Sequence, residues 1–163
     1  MASLGSQLEG KDAADRLYRS EEGCRIANEE VGKMMGAIRH DVEQAQQAAP
    51  RLCLSLAPEK PREIHFTGLH GLRFSAYFAN PLINHLGSAH LLCRINKPNY
   101  PQSDDYEPVY SKRFLPTFNS AQALIWTDEE TEAQYTAEGV KDLFMEAVIE
   151  SLREMCEGPF NRG

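Results

Sequence analysis

The stretch covering residues 63–78, EIHFTGLHGLRFSAYF, constrains the fold more than any other part of the sequence. In its second half, residues 72–78, apolar and polar side chains alternate strictly. A period of two is typical of a β-strand that buries one face and exposes the other. The two glycines of residues 68–71 accept positive φ, as tight turns often require. The stretch therefore predicts a β-hairpin whose second arm buries Leu72, Phe74, Ala76 and Phe78.

Helical periodicity lies on both sides of this hairpin. Apolar residues recur at steps of three and four across residues 13–49, and Pro50 stops the pattern. Gly23 marks a point at which this helical region divides into a short and a longer helix. A last helix is predicted over residues 137–156, with Thr136 as its N-cap.

The region between the helices is predicted to form the sheet. Alternation predicts further strands over residues 88–96, 109–114 and 122–127, and residues 51–56 are a candidate for a short first strand. Residues 97–108 are polar and rich in proline, which indicates a loop. Successive strands joined by short turns favour antiparallel pairing, and amphipathic helices need an apolar sheet face to cover.

These patterns predict an α+β protein with an antiparallel sheet of four to five strands. An N-terminal and a C-terminal helix flank the sheet and pack on one face of it, as a two-layer sandwich. We expect residues 1–11 to be a disordered N-terminus, residues 12–157 to form a single domain and residues 158–163 to be a loose tail.

Two glycines, Gly32 and Gly36, stand one turn apart in the long N-terminal helix. Each costs about 1 kcal/mol of helix stability relative to alanine. Either the helix tolerates them because packing already supports it, or another backbone approaches closely at this point. The sequence leaves both interpretations open.

Charge is distributed unevenly along a chain whose formal net charge is −7. Residues 1–50 carry six basic and nine acidic side chains, residues 51–119 carry eight and five, and residues 120–163 carry three and ten. The centre, which also holds four of the five histidines, is therefore basic between acidic ends. An acidic protein of this kind is not expected to bind nucleic acid or an anionic membrane surface.

The cysteines and the apolar content bear on the cellular location. Cys24, Cys53, Cys93 and Cys156 are far apart and form no CxxC pair, which favours free thiols over a disulfide framework. The N-terminus has neither the basic nor the apolar region of a signal peptide, and no apolar run is long enough to span a bilayer. These features predict a cytoplasmic protein.

No motif for catalysis or cofactor binding stands out. The sequence lacks a GxSxG elbow, a phosphate-binding glycine loop and an HExxH helix, so no metal and no cofactor are predicted. His65-Phe-Thr67 matches one half of a two-histidine phosphoesterase signature, but the second copy that this chemistry needs is missing. The carboxylates of residues 104–105 and 128–130 are interpreted as solvated loop charges. No catalytic residue is predicted, and His65, His70 and His90 remain as acid–base groups under the alternative of a small enzyme.

The clearest candidate surface is the face of the sheet that the helices leave uncovered, which we call the outer face. If Phe74 and Ile95 point to the helices, then Arg73, Tyr77 and Arg94 point away from them. Either Tyr110 and Lys112 or Ser111 and Arg113 join this face, depending on the orientation of their strand, and Trp126 is expected to serve as an aromatic anchor. Arginine and exposed aromatic side chains are enriched at the centres of protein interfaces.

The sequence thus favours a non-catalytic protein-binding module, such as an adaptor, a chaperone-like protein or an inhibitor. It would use the outer face and the 97–108 loop, with Arg73, Tyr77, Arg94 and Trp126 as the contact residues. The expected partner is another protein with an acidic surface, or a second copy of the chain. The alternative is a small enzyme or ligand-binding protein with a histidine-containing site near the central hairpin.

Overall fold

A computed structural model describes residues 4–99 and 104–157 of the chain. Three helices and seven strands follow one another in the order α1 (Leu4–Tyr18), α2 (Glu21–Ala48), β1 (Ser55–Leu56), β2 (Glu63–Thr67), β3 (Arg73–Ala79), β4 (His90–Pro98), β5 (Tyr106–Phe118), β6 (Leu124–Asp128), β7 (Gln134–Tyr135) and α3 (Ala137–Glu157). Each strand pairs antiparallel with the next, so the sheet order is the sequence order.

The α+β class and the antiparallel sheet are confirmed. The predicted number of four to five strands is wrong, because the sheet has seven. Only Ser55–Leu56 of the predicted segment 51–56 forms a strand, since Pro50–Leu52 forms a 3-10 turn, and the two-residue β7 is too short for alternation to reveal it.

Helices α2 and α3 supply the apolar cover of one sheet face, which we call the inner face. From α2 the buried apolar side chains are Cys24, Ala27, Val31, Met34, Met35, Ile38 and Val42. From α3 they are Val140, Phe144, Val148 and Leu152. They join the inward side chains of the strands in one continuous core, whose largest members are aromatic. None of the described helices is long and apolar enough to cross a bilayer.

The N-terminal helical region divides at residues 19–20, slightly before the predicted interruption at Gly23. Ser20 caps α2, because its side-chain oxygen accepts the Gly23 N–H at 3.1 Å. A Cβ atom at Gly23 would collide with the carbonyl oxygen of Leu17, so only glycine lets α1 turn back this tightly. The expectation of a disordered segment over residues 1–11 is corrected, since α1 begins at Leu4. Residues 1–3 lie outside the described part of the chain.

Gly32 and Gly36 lie on an exposed part of α2 beside the loop that precedes β2. A Cβ at Gly36 would meet no described atom within 4 Å, and one at Gly32 would meet only the carbonyl oxygen of Pro61 at 3.9 Å. No described backbone approaches closely enough to require these glycines. Tolerance on a well-packed helix is the interpretation that the structure supports.

Replacing Gly36 with alanine is therefore expected to raise the free energy of unfolding by up to about 1 kcal/mol, since the helix loses a flexible residue and gains no clash. Urea denaturation of the wild type and Gly36→Ala measures the change. Gly23→Ala is the matched control in the same helix and should be destabilised by the Leu17 collision. Equal changes in the free energy of unfolding for the two substitutions would contradict the conclusion that packing does not require a glycine at Gly36.

The predicted hairpin is confirmed as β2 and β3, with Glu63 opposite Tyr77 and Thr67 opposite Arg73. Its turn lies at residues 68–71 as expected, but only one of the two glycines has a positive φ. Gly68 is extended, whereas His70 and Gly71 have positive φ values of 57° and 80°. Gly68 lies at a tightly packed point instead, because a Cβ there would lie 3.1–3.3 Å from side-chain carbons of Phe74, Leu152 and Leu54.

The predicted loop over residues 97–108 is shorter in the structure. Strand β4 continues through Pro98, and β5 begins at Tyr106. The register shifts at Ile95/Asn96, so that Ile95 pairs with Tyr110 while Asn96 pairs with Pro108, and Val109 is the extra residue. Residues 100–103 and the predicted loose tail at 158–163 lie outside the described residues.

Candidate functional site

The outer face carries one arginine on each of its three central strands. Arg73 on β3 lies opposite Asn96, Arg94 on β4 lies opposite Ser75 and Ser111, and Arg113 on β5 lies opposite Leu92. Each arginine is thus displaced by two residues from the next, which places neighbouring Cα atoms about 7–8 Å apart. All three side chains are exposed. We call this row of Arg73, Arg94 and Arg113 the arginine diagonal.

The three arginines differ in how the fold engages them. The guanidinium carbon of Arg73 lies 3.8 Å from the ring centroid of Tyr106. Stacking of this kind orients the group and leaves its edge N–H donors available. Arg113 Nε lies 3.1 Å from Glu129 Oε2 in an exposed ion pair. The side chain of Arg94, at the centre of the diagonal, makes no hydrogen bond or ion pair with any other described residue.

An open groove of about 360 Å³ follows the middle of the diagonal. Its lining residues are His90, Leu92, Arg94, Ser111, Lys112, Arg113, Asp128, Glu129 and Glu130. Leu92 forms a half-buried apolar floor, and Tyr77 lies opposite Leu92 in the register with 41% of its surface exposed. Positive, hydroxyl and apolar groups therefore converge on one side of the groove, and carboxylates form the other side.

The acidic side of the groove is held by a buried ion pair. Asp128, which ends β6, has only 2% of its side chain exposed, and its Oδ2 accepts a hydrogen bond from Lys112 Nζ at 2.8 Å. Its Oδ1 accepts the N–H groups of Glu130 at 2.9 Å and Thr131 at 3.3 Å. Burial alone would raise the pKa of Asp128, but Lys112 and the two backbone donors hold this pKa below its usual range. The loop after β6 is thereby fixed beside the groove.

The interpretation of residues 128–130 as solvated charges is thus corrected for Asp128, whereas Glu129 and Glu130 are exposed. The sequence links the burial of Asp128 to that of Trp126, although it does not show which face of β6 is buried. Leu124, Trp126 and Asp128 alternate with a period of two, so a buried Trp126 predicts a buried Asp128.

Trp126 does not lie on the outer face. It is fully buried on the inner face, where its ring meets Phe78 edge-on at a centroid distance of 5.4 Å. The expectation of Trp126 as an exposed anchor is therefore wrong. In β6 both alternating sets contain apolar residues, so the pattern does not distinguish the buried face, and pairing with β5 decides it.

The orientation of β5, which the sequence leaves open, places Ser111 and Arg113 on the outer face. Tyr110 and Lys112 point to the inner face, where Tyr110 lies beside Phe144 at a ring-centroid distance of 6.4 Å. Burial raises the pKa of Tyr110, and its hydroxyl is buried without a hydrogen-bond partner among the described residues. Arg113 is the functional candidate that sequence analysis alone could not assign.

The three histidines of the alternative enzymatic interpretation do not converge. His65 lies opposite Ser75 and His90 opposite Ala79, which separates them by about 13 Å along the strand direction at about 3.3 Å per residue. His70 sits in the turn between β2 and β3, beyond the end of both strands. His65 instead contacts Glu63 at 3.3 Å, and His90 lies 3.4 Å from Arg113 Nη2.

Other reactive groups are placed away from this face. Cys93 is buried on the inner face, where burial raises the pKa of its thiol to about 12, so it is protonated and unreactive at neutral pH. None of the four cysteines, all of which lie within the described residues, forms a disulfide bond. Across residues 4–99 and 104–157, no three histidine, cysteine or acidic side chains are grouped so as to hold a metal ion.

Comparison with known proteins adds no relative: neither the family models, nor the curated proteins, nor the solved structures gave a significant match.

Proposed function

We propose that the chain is a protein-binding module whose outer face docks an acidic segment of another protein. The observation that carries this proposal is Arg94, an exposed arginine at the centre of the arginine diagonal that has no partner among the described residues. An arginine that the fold does not use for its own ion pairs is available to a carboxylate, to which it binds with two parallel hydrogen bonds.

The surroundings of Arg94 favour a protein segment over a small anion. Arg73 and Arg113 extend the positive charge to both sides, so that several carboxylates can be engaged at once. Leu92 and Tyr77 add apolar and aromatic contact area between the charges. Interfaces commonly combine a buried aromatic or apolar anchor with arginine, and this combination suits an extended segment in which acidic and apolar residues alternate.

Replacing Arg94 with glutamine is expected to weaken binding of such a segment about tenfold, which corresponds to the loss of roughly one charged hydrogen-bonding group at an exposed site. A fluorescein-labelled peptide of alternating glutamate and valine serves as the probe, and fluorescence anisotropy measures its affinity. The free energy of unfolding should change by less than about 0.5 kcal/mol, because the Arg94 side chain makes no polar contact with the described residues.

Arg153→Gln is the matched control, since it removes the same charge from the exposed side of α3, away from the outer face. Its affinity for the probe should equal that of the wild type. If Arg94→Gln binds the peptide as tightly as Arg153→Gln does, the docking face is not used. Sedimentation of the wild type tests the remaining occupant, because a dimer that Arg94→Gln dissociates would identify a second copy as the partner.

A further inference from the structure

We infer that Glu129 is an internal competitor, which occupies on Arg113 the position that a partner carboxylate takes during docking. This inference rests on the proposed function and concerns how the same site is regulated. Glu129 Oε2 lies 3.1 Å from Arg113 Nε, so the fold itself shows which chemical group this part of the arginine diagonal accepts. Of the other two arginines, Arg73 is stacked on a ring, and Arg94 has no partner among the described residues.

The backbone holds Glu129 in place for this role. The Glu129 N–H donates to the carbonyl oxygen of Arg113 at 2.9 Å, which fixes the two residues side by side. The preceding residue, Asp128, is anchored by Lys112 and accepts the N–H groups of Glu130 and Thr131. The backbone therefore keeps the Glu129 carboxylate beside Arg113, and a rotation of the Glu129 side chain breaks the ion pair without any movement of the loop.

The ion pair is weak enough to be displaced. The side chains of Arg113 and Glu129 are 49% and 51% exposed, so water and salt screen their attraction. Exposed ion pairs of this kind contribute little to the stability of the fold. A partner that already binds Arg94 presents its next carboxylate to Arg113 at a high effective concentration. Docking then exchanges one carboxylate for another on Arg113. The freed Glu129 carboxylate repels the acidic segment, so segments without an apolar contact to offset this repulsion bind more weakly.

The inference predicts that Glu129→Gln binds the labelled glutamate–valine peptide about two- to fivefold more tightly than the wild type. Glu130→Gln is the matched control, because Glu130 lines the same groove and carries the same charge, but has no ion pair with Arg113. Anisotropy titrations of both variants should show a clear gain for Glu129→Gln and a small one for Glu130→Gln. Equal gains would mean that only the net charge of the groove matters, and the competitor role would be overturned.

A double-mutant cycle with Arg113→Gln isolates the exchange at this residue. In the Arg113→Gln background, removing the Glu129 carboxylate should change the affinity no more than Glu130→Gln does. A full gain without Arg113 would also overturn the inference. Failure of the proposed function looks different, since the peptide would then bind Arg94→Gln as well as the wild type, or bind neither the wild type nor Glu129→Gln.

Discussion

Truncation of Trp126 to alanine is expected to lower the free energy of unfolding by about 3–5 kcal/mol. The side chain is fully buried on the inner face, where Phe78 contacts it edge-on. Alanine removes a large aromatic group and leaves a cavity that the surrounding rigid strands and α3 cannot fill by collapse. Calorimetry measures the loss, which for a chain of this size lowers the melting temperature by roughly 2–4 °C per kcal/mol.

Trp126→Phe is the companion variant. It keeps an aromatic ring in the site and removes the indole N–H, which is buried without an acceptor among the described residues. We expect it to cost less than about 1.5 kcal/mol. The reverse pattern, in which Trp126→Ala is as stable as the wild type but loses the acidic peptide, would support the exposed anchor that the sequence suggests and contradict the structure.

The fold class is accessible from sequence because it depends on patterns that are local. The hairpin of β2 and β3 follows from strict alternation, and α3 with its Thr136 cap follows from helical periodicity. Alternation also predicts which side of β3 faces the core, since one of its two sides is entirely apolar. Strand β7 is missed, because two residues are too few for a period of two to be seen, and β1 is only the end of the longer segment 51–56 that alternation indicates.

The residues of the outer face can be predicted from sequence only in part, because their placement depends on pairing between strands. Arg73, Tyr77 and Arg94 follow from the alternation of β3 and β4, and the structure places all three on the outer face. Arg113 depends on β5, where Val109 is inserted at the bulge and shifts the faces of the residues on either side. A shift of one residue exchanges the two faces of a strand, and nothing in the sequence of β5 alone indicates such a shift.

The ion pair of Lys112 and Asp128 illustrates the same limit. Residues 112 and 128 belong to different strands, and the sequence of either strand alone is compatible with a solvated surface charge. Only the pairing of β5 with β6, in which Phe114 lies opposite Asp128, brings the carboxylate within reach of the Lys112 ammonium. Buried charges of this kind must be compensated where they lie, so the pair fixes the register of β5 and β6 as well as the loop that carries Glu129.

Replacing Asp128 with asparagine is expected to lower the free energy of unfolding by about 2 kcal/mol at neutral pH. The amide can still accept the two backbone N–H groups, but the Lys112 ammonium loses its counter-charge beside a nearly buried position. Lys112 retains some solvent access, with 27% of its side chain exposed, which keeps the cost below that of a fully buried pair. Glu129→Gln, which removes a carboxylate from an exposed pair one residue away, should cost less than about 1 kcal/mol.

The pH dependence of this difference tests its origin. Folding lowers the pKa of Asp128, so its contribution to stability is fully present above the pKa that the group has in the unfolded chain, about 4. The contribution is lost as the pH falls through the lower pKa of the folded state, because the carboxylate is then protonated in both states. The stability difference between the wild type and Asp128→Asn should therefore stay constant from pH about 7 to about 5 and shrink on further acidification, while the carboxylates that both proteins share cancel in the difference. Urea denaturation of the two proteins across this range measures it. A difference that stays constant with pH would show that a poorer fit of the amide group, and not the loss of the negative charge, causes the destabilisation.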